Sequence, residues 1–387
     1  MTVRVGISGS GYIGRGLLYA LDGLDEFRVT TVLTRTDPDT RKDYPAPELM
    51  TRSLDGFIKQ SDLIIEGSGD VAHATVVVDR ALSAGLPVVT MNAEMQVTTG
   101  SYFVGKGCIT EAEGDQPGCL AALAEEVETM GFQSRVYGNI KGFLNHDPTL
   151  QDMEYWGSRQ GISMKRVVSF TDGTKLQIEQ ALVANGLGAT IATDGLIGPK
   201  VDTLEQGCDE LVAAAEEAGA PISDYVLSKV LPPGVFIIAT HRQYERQWQY
   251  LRNYKLGDGP YYLLLRPYHL CHLEVLKTLR RVTEGRGPLL DNSSHPTVSV
   301  AAVAKHTLES GHLISEGIGS FDVRGTAVKL NDHPRHCPIG LLQDAVVQRR
   351  LEAGQVVSLD DVELPDSLAV RAWSTISGSA GQDRPVR

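Results

Sequence analysis

Short apolar runs alternate with amphipathic stretches over the first 100 residues of the chain. Strands are predicted at 3–8, 27–34, 62–66 and 87–91, and helices at 15–21 and 72–84. This alternation is typical of a parallel sheet with helices on both faces. It predicts an α/β fold that opens with a doubly wound, nucleotide-binding half.

A second pattern begins near residue 116. Apolar residues at Leu120, Leu123, Ala124, Val127 and Met130 have the spacing of one buried helical face, and Gly131 is expected to end that helix. A strand at 133–137, helices at 175–184 and 204–217, and two apolar runs at 235–240 and 261–265 follow. Together they predict a mixed α/β substrate domain.

The last part of the chain contains an internal repeat. Residues 308–315 (LESGHLIS) are similar to residues 351–358 (LEAGQVVS). Two copies are too few for a solenoid, so they predict a small pseudo-symmetric β module. The resulting division is a dinucleotide-binding domain at 1–150, a substrate domain at 151–295, the β module at 296–372, and a flexible tail at 373–387 that is expected to fray.

Composition and charge limit the classes of partner that the protein is expected to bind. The 387 residues are 42% hydrophobic, and 48 acidic against 36 basic residues give a net charge of −12, which disfavours nucleic acid and anionic membranes. No apolar run approaches the ~20 residues of a membrane helix. With no secretory pattern at the start, a cytoplasmic protein is expected. The five cysteines are far apart and are interpreted as reduced thiols.

A glycine-rich motif lies between the first strand and the first helix. Its residues are Gly9, Ser10, Gly11, Tyr12, Ile13 and Gly14. In a G-x-G-x-x-G turn the glycines permit a tight turn, close approach to a pyrophosphate, and packing of helix on sheet. The helix N-terminus adds N–H donors for the anion. This context predicts a dinucleotide site.

The end of the second strand bears on which dinucleotide binds. It reads Thr34-Arg35-Thr36, where an NAD enzyme usually has an acidic residue for the ribose 2′-hydroxyl. Arg35 suits a 2′-phosphate, so NADP is preferred. Asp37 and Asp39 are near enough to keep NAD open.

Two more strand ends should face the cofactor, because ligands of doubly wound sheets lie at the carboxyl edge. Ser68 and Gly69 follow one strand, and Asn92 and Glu94 follow the next. We expect these residues near the nicotinamide ribose. The alternatives are a plain turn for Ser68 and Gly69 and a helix cap for Asn92.

Candidate catalytic residues lie around a helix predicted to begin near Gly173. Asp172 precedes it, Lys175 is in its first turn, and Glu179 lies one turn later on the same face. Carbonyl reduction needs a proton donor or a cation at the developing alkoxide, and a lysine between carboxylates supplies one. The alternative is an ordinary surface ion pair. Asp172 and Glu179 are predicted to set the pKa of Lys175 or to hold a divalent ion.

Two further polar segments are candidates for substrate contact. Lys141 follows a predicted strand and suits a phosphate or carboxylate, whereas Asn145 is either a substrate ligand or part of a turn. His269 and His272 are interpreted as substrate contacts or strand packing. A metal at His272 and Glu274 would lack the three or four ligands that such sites need. The metal requirement stays open.

The order of these motifs resembles a known group. Gly9 to Gly14, the 66–69 and 92–94 strand ends, the 114–117 turn, the 169–175 segment and the 269–272 segment follow one another as in the deoxyxylulose-phosphate reductoisomerase-like (DRL) oxidoreductases. These are distant relatives of homoserine dehydrogenase with a C-terminal SAF (β-clip) domain. The resemblance extends to about residue 365. An aspartate-rich signature of homoserine dehydrogenases is absent, which argues against aspartate-semialdehyde reduction.

The resemblance implies an NADP-dependent enzyme, a homodimer or homotetramer, acting on a small phosphorylated or polyhydroxylated carbonyl compound. It also implies that 151–295 serves oligomerisation and that 296–372 is SAF-like. Lys175 is the predicted proton donor, and reduction is predicted with or without isomerisation. The alternatives are a homoserine-type or sugar-acid dehydrogenase without isomerisation, and a dinucleotide-binding protein whose catalytic residues have decayed.

Overall fold

The first sheet is built from six parallel strands. They are β1 (Val3–Ser8), β2 (Phe27–Leu33), β3 (Met50–Thr51), β4 (Leu63–Glu66), β5 (Val88–Thr90) and β6 (Ile109–Glu111). The helices between them are α1 (Tyr12–Leu21), α2 (Leu54–Lys59), α3 (Val71–Ser83) and α4 (Ala93–Thr99). The spatial order β3-β2-β1-β4-β5-β6 is that of a Rossmann fold and confirms the predicted class. These coordinates are a computed structural model that describes residues 2–380.

Strand register brings polar residues to one edge of this sheet. Strands β4 and β5 and the second halves of β1 and β2 are buried, as expected of a parallel sheet covered on both faces. At the carboxyl edge, Ser8 is paired with Glu66, Glu66 with Thr90, and Thr90 with Glu111. The buried carboxyl groups of Glu66 on β4 and Glu111 on β6 therefore lie at the sheet edge where a ligand of this fold binds, with β5 between them.

A second sheet has the order β10-β9-β7-β8. Its strands are β7 (Phe132–Lys141), β8 (Ile222–Leu227), β9 (Val235–His241) and β10 (Tyr261–Arg266). Helices α5 (Gln116–Thr129), α6 (Leu150–Gln160), α7 (Met164–Thr171), α8 (Thr174–Gly186), α9 (Leu204–Ala218) and α10 (Tyr244–Asn253) complete this part. The two apolar runs do pair, with Tyr261 opposite Thr240, but α10 lies between them instead of a short turn.

The domain division drawn from the sequence differs from these sheets. β7 falls before residue 150, yet its hydrogen bonds are to strands of the second sheet. Helix α11 (Val275–Thr283) falls in the predicted substrate domain, but Val275 and Leu279 pack in the same core as Val5 and Ile7 of the first sheet. The chain therefore leaves the dinucleotide unit before residue 132 and later returns to it.

The C-terminal module is β-rich. Its strands are β11 (Val298–Ala304), β12 (Leu313–Ile314), β13 (Val323–Lys329), β14 (Ala345–Val347) and β15 (Val362–Glu363). The two copies of the internal repeat face each other, because Leu308 and Leu351 each donate an N–H to the carbonyl oxygen of the other, at 3.0 and 2.9 Å. This pairing confirms the pseudo-symmetric module.

Equivalent bonds flank this central pair. Gly311 donates to Val347, and Gly354 donates to Ala304, so each repeat makes the contact that the other makes.

The module does not have a core of its own. Val300 and Ala327 share one apolar cluster with Leu176 and Ile178 of α8. The predicted flexible tail is also wrong in its first part, since residues 373–380 belong to helix α12 (Leu368–Ala380), whose Trp373 is buried in that cluster. The apolar residues of α12 lie on one face of the helix, but serines and glycines between them weaken the helical pattern in the sequence. Residues 381–387 lie outside the described residues.

Within residues 2–380, no helix combines the length and the apolar character that a bilayer span requires.

Candidate active site

The glycine-rich turn has two kinds of glycine. Gly9 has φ +107°, and a Cβ built on Gly14 would lie 1.9 Å from the Gly9 carbonyl oxygen, so both are required by the turn itself. A Cβ on Gly11 would meet no atom within 4 Å. The space beside the Gly11 Cα is therefore open to a ligand.

Helix α1 begins behind Gly11 with Tyr12. No side chain caps its first turn, and that turn contains no acidic residue. Its N–H groups are therefore available to an anion, which is the arrangement expected for a dinucleotide pyrophosphate.

The tip of β2 is basic. Thr34 is buried and its hydroxyl lies 3.1 Å from that of Ser10, which fixes the glycine turn to this strand. Arg35 is 63% exposed and pairs with the buried Asp70 at 2.6 Å. Arg41 adds a second guanidinium, which donates to the Ser10 carbonyl at 3.3 Å.

The acidic residues that kept NAD open lie just beyond this tip. Asp37 accepts a hydrogen bond from the N–H of Asp39 at 3.1 Å and caps a short 3₁₀ turn. Its carboxylate is thus engaged locally, whereas the guanidinium of Arg35 stays largely in solvent.

The ends of β4 and β5 are joined by a buried carboxyl group. Glu66 accepts from the Ser68 N–H at 3.0 Å and from the Asn92 side-chain amide at 2.9 Å. Asn92 also accepts from the N–H of Met95 and caps α4. Burial raises the pKa of Glu66 above its ordinary value in spite of these bonds. The side chain of Asn92 therefore joins the ends of β4 and β5, as in the helix-cap alternative, and its contact with a cofactor stays a prediction.

A cavity of about 430 Å³ joins the glycine turn to a cluster of charged side chains. From the predicted cofactor residues its wall contains Tyr12, Ile13, Ser68, Gly69 and Glu94. From the predicted substrate residues it contains Lys141, Lys175, Glu179 and His269. One space thus touches both halves of the predicted site.

Lys175 lies at the polar end of this cavity and is 8% exposed. Its Nζ lies 3.2 Å from Glu94 Oε2 and 3.3 Å from Asp115 Oδ2. Burial by itself lowers the pKa of Lys175, but the charges of Asp115, Glu94 and two further carboxyl groups raise it well above its ordinary value. Lys175 is therefore an ammonium ion with a proton to donate.

Glu111 lies behind Asp115 at the end of β6. It is fully buried, and among the described residues neither of its oxygens has a hydrogen-bond donor. Burial, followed by the negative charge of Asp115, raises the pKa of Glu111 well above its ordinary value. The raised pKa favours the neutral form of Glu111 over the carboxylate.

Lys141 lies beside this cluster and is fully engaged. Its Nζ donates to Glu179 Oε2 at 3.0 Å and to Gln116 Oε1 at 2.6 Å. The amide of Asn139 donates to the same two oxygens. Glu179 is thus the partner of Lys141 first and acts on Lys175 only through its charge.

Three predicted residues lie elsewhere. Asp172 is buried and pairs with Lys305 at 2.8 Å, because it caps α7 and turns away from Lys175. His272 packs its ring against Gly16 of α1. Asn145 is exposed and bonds the N–H of Asp147, so its use is the turn.

His269 does lie in the cavity wall. Its Nδ1 is 3.3 Å from the Gly114 carbonyl oxygen. Within residues 2–380, no group of three or more His, Cys, Asp or Glu side chains is arranged to hold a metal ion. The carboxylates of the cavity are paired with lysines instead.

Sequence reasoning overlooked Asp115, Glu111 and Arg166. Glu111 ends β6 and Asp115 follows it, but β6 has only three residues and the hydrophobic pattern did not predict it. The carboxyl-edge rule would have selected both, had that strand been assigned. The carboxyl-edge rule could not have selected Arg166, because this residue reaches the cavity from helix α7 and not from the end of a strand.

A Rossmann sheet with an open glycine turn, joined by one cavity to a buried lysine among carboxylates, defines an NAD(P)-dependent oxidoreductase. Residues 9–102 match the family model of the homoserine dehydrogenase NAD-binding domain, and residues 114–275 match that of the catalytic domain of the oxidoreductase DRL. The chain is therefore an NAD(P)-dependent oxidoreductase, and the two matches confirm its resemblance to DRL and homoserine dehydrogenase over residues 9–102 and 114–275. Neither match extends to the C-terminal module, so the SAF-like assignment of residues 296–372 stays a prediction. No curated protein matches the chain.

Solved structures give distant matches. The UDP-N-acetylglucosamine 3-dehydrogenase GnnA from Acidithiobacillus ferrooxidans has a TM-score of 0.44 at 12% identity, over 76% of this chain and 92% of that chain. A myo-inositol dehydrogenase from Corynebacterium glutamicum ATCC 13032 has 0.43 at 12%, over 74% and 90%. A dihydrodipicolinate reductase from Paenisporosarcina sp. TG-14 has 0.37 at 14%, over 74% and 97%.

Proposed function

We propose that this protein transfers a hydride between NADP(H) and the carbonyl or alcohol carbon of a small polyhydroxylated or phosphorylated compound. The observation that carries this proposal is that Lys175 lines the same cavity as Tyr12 and Ile13 of the glycine-rich motif. The nicotinamide, when bound, supplies the hydride in the reductive direction. All other groups needed come from the chain.

The proton needed at the carbonyl oxygen comes from Lys175. As the carbonyl carbon gains a hydride, its oxygen gains negative charge and takes a proton from Nζ, which leaves an alcohol and a neutral amine. Glu94 and Asp115 hold Nζ from two sides. They orient the ammonium, and in the oxidative direction the neutral amine takes the proton back.

Glu111 lies near this pair. The negative charge of Asp115 raises the pKa of Glu111, and Asp115 in turn contacts Lys175. A neutral Glu111 adds no further negative charge beside the Lys175 ammonium.

The choice of NADP rests on the tip of β2. Arg35 and Arg41 lie on either side of the turn that leads out of this strand, and Asp37 is engaged in its own cap. The exposed guanidinium of Arg35, with the partly buried Arg41 nearby, favours a 2′-phosphate.

The isomerising form of this reaction would use a second acid–base pair, which simple reduction does not need. Moving a carbon skeleton or a carbonyl requires deprotonation of a hydroxyl group as well as protonation of the alkoxide. Lys141 and Glu179 line the same cavity as Lys175 and form such a pair. Homoserine-type reduction, by contrast, needs only Lys175.

The test is turnover. The purified protein is titrated with NADPH and NADH by nicotinamide fluorescence, then mixed with deoxyxylulose phosphate, aspartate semialdehyde and a panel of hydroxyaldehydes while oxidation of the reduced cofactor is followed. We expect NADPH binding and oxidation with at least one phosphorylated or polyhydroxylated substrate. Product analysis distinguishes an isomerised skeleton from a simple alcohol. Binding without turnover on any substrate would support the decayed dinucleotide-binding protein instead.

A further inference from the structure

The two ends of the cavity differ in charge. At the Lys175 end, the carboxylates Glu94, Asp115 and Glu179 outnumber the lysines Lys175 and Lys141, and both lysines are already paired. A phosphate or carboxylate placed there would meet net negative charge. An anionic group of the ligand therefore needs a different partner.

Arg166 is that partner. It lies in the first turns of α7, is partly exposed, and contributes to the cavity wall. Within residues 2–380 its guanidinium makes no hydrogen bond, ion pair or ring contact, whereas Lys165 next to it pairs with Glu316 at 2.6 Å. An arginine that faces a cavity with all five N–H donors unused is suited to an anion.

The position of Arg166 faces the dinucleotide half. A Cβ built on Gly69 would lie 3.9 Å from its Nη2, so the guanidinium stands over the loop that follows β4. Tyr12, at the start of α1, lines the same cavity. Arg166 thus approaches from the second unit the region that the N–H groups of α1 approach from the first.

The helix that carries Arg166 is held firmly. The C-terminal module contacts it at both ends, because Glu316 pairs with Lys165 and Lys305 pairs with Asp172. A Cβ built on Gly319 would lie 2.2 Å from the Lys165 carbonyl oxygen, which leaves room only for glycine. The backbone from which the Arg166 side chain projects is therefore fixed before a ligand binds.

We propose that Arg166 is the anion-binding residue of the cleft, and that its ligand is a phosphate group held by the paired N–H donors of the guanidinium. This inference rests on the proposed function. Two molecules can bring that phosphate: the dinucleotide, through its diphosphate, or a phosphorylated substrate, through the end that does not react. Both use the same bidentate contact, and separate binding measurements distinguish them.

The first measurement is the affinity for NADPH without substrate. Arg166→Met removes the guanidinium and keeps the aliphatic length, and Arg166→Lys keeps the charge but not the fork. Arg246→Met is the matched control, since Arg246 is an exposed arginine of α10 remote from the cavity. If the cofactor brings the phosphate, the Kd for NADPH rises roughly 10- to 100-fold in Arg166→Met, less in Arg166→Lys, and not in the control.

The second measurement adds inorganic phosphate to NADPH-saturated protein and follows nicotinamide fluorescence and the thermal unfolding midpoint. If the substrate brings the phosphate, the wild type responds and Arg166→Met does not, while their NADPH affinities agree. The variant should keep the stability of the unliganded protein, because Arg166 has no partner to lose.

Unchanged NADPH affinity together with an unchanged phosphate response in Arg166→Met would overturn the inference. A wild type that binds neither NADPH nor NADH would instead overturn the proposed function, so the two failures are distinct.

Discussion

The two halves of the candidate site differ in what they are made of. The dinucleotide half is made of backbone: the glycines at 9, 11 and 14 and the N–H groups of α1, beside which Tyr12 and Ile13 line the cavity. The substrate half is made of charged side chains brought together from α4, α5, β7 and α8. The residues of the first half are contiguous in sequence. Those of the second half are far apart in sequence and are joined by ion pairs. Changes in the first should therefore act locally, whereas changes in the second should spread to neighbouring groups.

The largest effect is expected at Lys175. Lys175→Met removes the proton donor and should lower kcat by roughly 10²- to 10⁴-fold, with NADPH affinity unchanged because the dinucleotide half is separate. Steady-state kinetics and an NADPH titration check this. Lys229→Met, which changes an exposed lysine outside the cavity wall, serves as the control. Wild-type kcat in Lys175→Met would remove the lysine from the chemistry.

The next largest effect concerns the support of the substrate half. Lys305 and Asp172 form an ion pair whose side chains are 1% and 0% exposed. Lys305→Met leaves a buried carboxylate unpaired and should lower the free energy of unfolding by about 3–5 kcal/mol. Urea denaturation measures this loss. Adding Asp172→Leu should restore most of it, and failure to do so would mean that the pair is not the source of the stability.

Two glycines separate ligand contact from folding in the dinucleotide half. Gly11→Ala should leave stability unchanged and weaken NADPH binding by roughly tenfold or more, because the added methyl group enters the ligand's space. Gly14→Ala should lower the unfolding midpoint as well, since its Cβ would collide with the Gly9 carbonyl. Thermal unfolding and NADPH titration of both variants test this. Equal destabilisation by both would contradict an open Gly11.

Glu111 gives the substrate half a pH dependence. Its pKa is raised in the folded protein, so above the ordinary value of 4.5 the unfolded chain releases this proton while the folded chain keeps it. Stability is therefore lost as the pH rises through that window. Glu111→Gln cannot ionise and should be increasingly more stable than the wild type as the pH increases from acidic to neutral.

Urea denaturation across that range measures the difference between Glu111→Gln and the wild type. A constant difference at all pH values would show that Glu111 ionises normally.

The smallest effect is expected at the tip of β2. Arg35→Ala should reduce the preference for NADPH over NADH by roughly fivefold, as an exposed charge contact is worth about 1 kcal/mol. Parallel titrations with the two cofactors check this, and Arg28→Ala on the same strand is the control. An unchanged ratio of NADPH to NADH affinity in Arg35→Ala would show that Arg35 does not contact the 2′-phosphate.

The same contrast explains what the sequence could predict. The glycine turn and its strand and helix are local, so six consecutive residues were enough to locate them. Lys175 was found because its helix start is local too, but its partners Glu94 and Asp115 come from other elements. Helix spacing pointed to Asp172 and Glu179 instead. No local rule shows that Asp172 is turned towards Lys305 by a module more than a hundred residues later.

The fold was predictable to a similar degree. Apolar runs predicted β1, β2, β4, β5, β7, β9 and β10. They did not predict β3 and β6, in which two or three residues carry no periodicity, or β8, whose apolar run is interrupted by Ser223 and Asp224, or the individual strands of the C-terminal module. The tail was misjudged at α12 for a related reason. Trp373 and Ile376 are separated by small polar residues and become recognisable as one face only once the helix is known.

The reciprocal bonds between Leu308 and Leu351 have a consequence for how such a module arises. The N–H and carbonyl groups of Leu308 and Leu351 are satisfied by the other copy of the repeat, as they would be in a homodimer of half-length chains. In separate chains that encounter depends on concentration, whereas a covalent link between copies makes it intramolecular and independent of protein abundance. Tandem duplication therefore turns a self-associating segment into a permanent brace, and afterwards either copy is free to acquire contacts that the other lacks.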